Sequence, residues 1–141
     1  GLMMDPPRPG GRTRPDGVRL EWKIAMQERL MLPLFIQDVT PRSLRVPGDQ
    51  ASVRHANKVT GVAGIIIRTN DPAHWTRHFE VVMGKPPAEG GWACGTSQIQ
   101  VRADAMAGGS PQIEVVLRCG LSDPPALDTE RTHGAILHYA S

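Results

Sequence analysis

RHANKVTGVAGIIIRTNDPAHWTRHFEVVMGKP, residues 54–86, decides how the rest of the chain is read. Within it, Gly61–Thr69 carries Val62, Ile65, Ile66 and Ile67. Their branched side chains favour a pleated backbone, and a near-continuous apolar run predicts a strand buried on both faces. Asp71-Pro72 then predicts a helix start. The carboxylate is placed to accept a first-turn amide, and Pro72 stands where a missing N–H costs nothing. Trp75, Phe79, Val82 and Met83 recur at helical spacing, while His74, Arg77, His78 and Glu80 take the other side. Gly84 can supply a left-handed cap and Pro86 forbids continuation, so the helix is expected over Pro72–Met83.

Upstream, residues 1–16 are rich in Pro, Gly and Arg, and read as a flexible lead-in. Residues 17–40 read as a strand hairpin. Val18, Leu20, Trp22 and Ile24 alternate with Arg19, Glu21 and Lys23, the period of a strand with one face on a core. Gln27-Glu28-Arg29 is the tip, and Leu30–Val39 is the second strand, with Pro33 pushing it to an edge. Residues 43–54 read as a polar crossing segment. Downstream of the helix, strands are expected at Gly95–Ala103, Ile113–Cys119 and Gly134–Tyr139, separated by Gly- and Pro-containing turns. Residues 55–141 thus read as one β-α-β-β-β module, and residues 17–141 as one domain.

Composition narrows the classes of function. With 141 residues and 16 basic against 14 acidic side chains, the net charge is +2. Arg8, Arg12 and Arg14 lie in the head with no aromatic residue interleaved to stack on bases, so no nucleic-acid partner is expected. Apolar runs around Met31–Ile36 and Val62–Ile67 are far too short to span a membrane. Two cysteines, Cys94 and Cys119, and the absence of a secretory pattern point to a reduced, cytoplasmic protein. His74 and His78 have the i, i+4 spacing that can hold zinc, but Trp75 replaces the glutamate of the catalytic motif and Arg77 repels a cation. Gly61-Val62-Ala63-Gly64 lacks the third glycine and lysine of a phosphate loop, and Cys94-Gly95-Thr96-Ser97 reads as the start of a strand.

Three segments carry a family resemblance: PDGVRLEW at residues 15–22, LPLFIQDVTPR at 32–42 and HANKVTGVAG at 55–64. Together with the strand order, the chain resembles the glyoxalase-like domain branch of the vicinal oxygen chelate superfamily, which embraces glyoxalases, bleomycin-resistance proteins and extradiol dioxygenases. The resemblance implies an α+β fold, a β-α-β-β-β module with two additional N-terminal strands and a sheet curled into a cup. It also implies that the first module lacks its opening strand and helix, leaving a sheet edge that a homodimer would cover. The cup would be the ligand site, reached by Trp22, Phe35, Gln37, His55 and His138. Metal-using relatives hold a divalent ion from the first and last strands of a module. Here the first-strand position falls near Gly64, which has no side chain, and His55 and His138 are the substitutes on offer. Glu114 lies opposite Ile113 and Val115 by alternation and is expected to face water. The resemblance therefore implies a small-molecule-binding protein without a complete metal site, or a metal-dependent lyase, isomerase or dioxygenase.

Overall fold

The computed structural model describes residues 4–26, 33–128, 130, 132 and 135–140. The expected hairpin tip at 27–29, the start of its second strand at 30–32 and Gly134 lie outside them. The chain divides into two compact units, residues 1–53 and 54–141.

In the first unit, β1 (Arg8–Thr13), β2 (Arg19–Ala25) and β3 (Phe35–Asp38) form an antiparallel sheet in the order β1-β2-β3. The alternation read in β2 holds: Leu20 is fully buried, Trp22 and Ile24 half-buried, and Arg19, Glu21 and Lys23 exposed. β1 stands where composition argues for a flexible lead-in. Its glycines serve close approach. A Cβ at Gly10 would lie 2.4 Å from the Trp22 indole nitrogen, and one at Gly11 2.6 Å from the Leu20 carbonyl oxygen. Pro9 is tolerated because β1 is an edge strand. Where the crossing segment was expected to begin, Arg42–Arg45 forms the one-turn helix α1.

Arg45 of α1 grips Asp38 at the end of β3 through two bonds of 2.6 and 2.9 Å, from Nε and Nη2 to the two carboxylate oxygens. Hydrogen bonding to Arg45, above all, holds the Asp38 carboxyl below its ordinary 3.8. A carboxyl whose pKa falls on folding stabilises the fold above its unfolded value, and that stabilisation is lost as pH falls through the folded value. Asp38→Asn should therefore lower the melting temperature at neutral pH, with the gap to wild type closing as the pH drops below 3.8. A gap unchanged between neutral and strongly acidic pH in thermal scans would show that the fork contributes nothing through charge.

The second unit is a five-stranded sheet with one helix. β4 (Val59–Thr69), α2 (Pro72–Met83), β5 (Trp92–Cys94), β6 (Ser97–Ala103), β7 (Gln112–Cys119) and β8 (Ile136–Tyr139) assemble in the order β5-β6-β4-β7-β8. β4 runs parallel to β6 and antiparallel to β7, and β8 runs parallel to β7. The caps of α2 are as the sequence specifies: the Asp71 carboxylate accepts from His74 N–H at 2.9 Å, and Gly84 is left-handed at φ 68°. α2 lies against β4 and β6. Trp75 and Phe79 from the helix are buried in the core, as are Ile67 of β4 and Trp92 of β5, with the Phe79 and Trp92 rings 5.8 Å apart. His78, expected on the polar side, is buried 5.4 Å from the rings of both Trp75 and Phe79. Three residues on from Trp75, it shares the helix face that packs inward.

The expected curled cup is not formed. The sheet of the second unit is open, with β5 and β8 as its two edges, and β2 and β3 pair with β1 in a sheet of their own. Gly95, at φ 61°, turns the chain directly from Cys94 to Ser97, so β5 folds back on β6 as a hairpin and ends the sheet there. The extra strand makes the module β-α-β-β-β-β, and Gly95 belongs to a turn where a strand start was expected.

Candidate functional site

α2 covers one face of the second unit's sheet, and the other face bears the candidate site. Pairing fixes who shares it. Gly64 of β4 lies between Gln98 of β6 and Val116 of β7, and Val116 pairs with His138 of β8. One step along, Ile66 lies between Gln100 and Glu114, and beyond it Arg68 pairs with Arg102. Side chains two apart in a strand point the same way, so Arg68, Gln98, Gln100, Arg102, Glu114 and His138 stand on this face.

Gly64 and Val116 leave a low floor with Gln98 on one side and His138 on the other, and here the face opens into a hollow of about 400 Å³. Gly64 is confined by its neighbours: a Cβ there would lie 2.7 Å from the Gln98 carbonyl oxygen. Along β6 the polar side chains are wired in series. Arg102 donates to Gln100 Oε1 from Nε and Nη2 at 3.2 and 2.7 Å, and Gln100 Nε2 donates to Gln98 Oε1 at 3.2 Å. The series ends on the Gln98 amide nitrogen.

On the opposite side Glu114 is only 6 % exposed. A buried carboxylate needs compensation, and Arg68 Nε supplies it by donating to Oε1. That bond, reinforced by the carboxylate's charge, raises the Arg68 guanidinium above its ordinary pKa. Glu114 Oε2 is buried without a hydrogen-bond partner among the described residues, and His138 Nδ1 lies 3.9 Å from it. Glu114 thus departs from the expectation that it faces water. The alternation is right, but its face is roofed by side chains from β4 and β8 that are remote in sequence.

Of the residues expected at the ligand site, His138 lines the hollow. His55 is exposed in the loop before β4, where its carbonyl accepts from Lys58 N–H at 2.9 Å. Trp22, Phe35 and Gln37 belong to the first unit. Trp22 pairs with Asp38, and Gln37 with Lys23, so Trp22 projects from the face opposite Phe35 and Gln37. Arg68, Gln98, Gln100, Arg102 and the role of Glu114 escaped the sequence reading. The available signal was the polar period-two run Gln98, Gln100, Arg102 in an otherwise apolar strand.

No group of three His, Cys, Asp or Glu among the described residues could hold a metal ion, and at Gly64 a Cβ would lie 2.7 Å from the Gln98 carbonyl oxygen. Among the described residues no helix is long and apolar enough to cross a membrane.

Comparison with known proteins places the fold. No curated protein matches the chain. A solved structure, the crystal structure of a hypothetical protein from Staphylococcus aureus, is similar over 99% of this chain and 57% of its own, with a TM-score of 0.70 at 12% identity. The chain thus spans a little over half of that protein, and at this identity the likeness is one of fold. The Glyoxalase-like domain family matches residues 2–83, from the first unit through β4 to the end of α2. That match takes in more than half of the sequence, including all three segments that carried the resemblance, and the chain belongs to the glyoxalase-like domain family.

Proposed function

We propose that this chain binds a small organic molecule on the open face of the β4–β8 sheet, without a complete metal site of the vicinal oxygen chelate type. The observation that carries this is the hollow over Gly64. Its floor is apolar and backbone-lined, and polar groups converge on it from opposite sides. Such a surface positions a ligand through a few directed hydrogen bonds. His138 is its ligand-binding residue among those expected from sequence, joined by Gln98 and Gln100.

Metal analysis separates this reading from a metal-dependent lyase, isomerase or dioxygenase. Purified protein should carry no stoichiometric divalent metal, and His55→Ala and His138→Ala should leave its metal content unchanged. One equivalent of metal that disappears in either variant would sink the proposal in favour of the enzyme.

A further inference from the structure

The hollow has a directional chemistry beyond binding. Arg68, Glu114 and His138 come from the adjacent strands β4, β7 and β8. In both pairings the partners are diagonal neighbours on one face, close enough for long side chains to meet. Arg68 occupies Glu114 Oε1 and fixes the carboxylate. Oε2, buried and without a hydrogen-bond partner among the described residues, lies 3.9 Å from His138 Nδ1, beyond a hydrogen bond. A carboxylate in that position favours the tautomer with the proton on Nδ1, which leaves Nε2 as the nitrogen able to take up a proton. Across Gly64, the Gln98 amide ends a series of hydrogen bonds that starts at the Arg102 guanidinium. Each bond in the series polarises the next, so the Gln98 amide N–H groups are strengthened donors for an oxygen gaining negative charge.

We propose that His138 is a general base acting, without a bound metal, on a ring-sized carbonyl or related compound with an acidic C–H, with Gln98 as donor to the developing oxyanion. Glu114 is the residue that positions His138. The inference rests on the binding reading above. In the step, Nε2 takes the proton from carbon, the C–H electron pair moves into the ligand and negative charge collects on oxygen. The proton then returns to the ligand or passes to water, so no further reactant is needed.

5-Nitrobenzisoxazole is a probe of this chemistry. Removal of its ring C–H breaks the N–O bond, forms a nitrile and releases a coloured phenolate. Wild-type protein should accelerate phenolate release above free imidazole at equal concentration, and His138→Gln should lose about 10²-fold of that rate. Glu114→Gln should slow the reaction, and the imidazole ¹⁵N spectrum of His138 should lose its Nδ1–H signature. Probe-induced shifts of the Gly64 and Val116 amides report binding separately. Binding with a wild-type rate no greater than that of His138→Gln overturns the base and leaves the binding reading standing. Neither binding nor rate overturns both. Should Glu114→Gln fail to fold, the wild-type ¹⁵N spectrum decides, and a proton found on Nε2 alone overturns the positioning by Glu114.

Discussion

Gly64→Ala should lower the melting temperature by on the order of 10 °C, and Gly64→His should fail to install a metal ligand. The added Cβ would meet the Gln98 carbonyl oxygen at 2.7 Å, and that oxygen belongs to the backbone of the neighbouring parallel strand, so it cannot swing aside. Overpacking of this kind costs about 1–3 kcal/mol. For a unit of this size each kcal/mol is worth roughly 4–8 °C. Gly64 is also buried in the strand that pairs on both sides, with pairing irregularities against β7 at Val59/Gly61 and Val62/Gly64. A displacement there propagates to both neighbours. Calorimetry makes the comparison directly: a Gly64→Ala protein as stable as wild type would mean that β4 and β6 separate freely, and that the hollow is not rigid.

Phe79→Ala should be the most damaging single truncation in the second unit, costing about 3–5 kcal/mol. Phe79 is 2 % exposed and joins the helix to the sheet through Trp92, which is equally buried and is tied by its indole N–H to the Lys85 carbonyl oxygen at 2.9 Å. Removing the ring leaves a cavity bounded by Trp75, Trp92 and His78, three rigid aromatic rings that collapse poorly. Val81→Ala, two residues on and 52 % exposed, is the control and should change stability by less than about 0.5 kcal/mol. Equal losses for the two variants in denaturant titrations would contradict the packing described.

How much of this was legible depends on whether the governing contact is local. The limits of α2 were, because Asp71, Pro72 and Gly84 act on their own helix turns. The alternation of β2 was, because each side chain's face follows from its parity. β1 was not: Gly10 and Gly11 read as freedom, whereas the Trp22 indole and the Leu20 carbonyl crowd them. His78 was misplaced by assigning a polar residue to the polar side when its angle on the helix put it inward. Glu114 had the correct parity and the wrong environment, since Arg68 and His138, which cover it, stand 46 positions before and on the last strand. The polar face was visible only as a row of isolated residues. Register across four strands brings them together on one face.

β4 is the one strand bonded to both β6 and β7. During synthesis it emerges before either, and α2, its local neighbour, offers side chains but no backbone partners. The β5–β6 hairpin can close by itself within microseconds, but the segment VTGVAGIIIRT must wait until residue 119 has left the ribosome before its second edge is paired. For that interval it is an apolar, β-branched stretch with a single charge near its end, a composition prone to pairing with other copies of itself. Expression yield and solubility should therefore be limited by the lifetime of the unpaired β4 rather than by the stability of the finished fold.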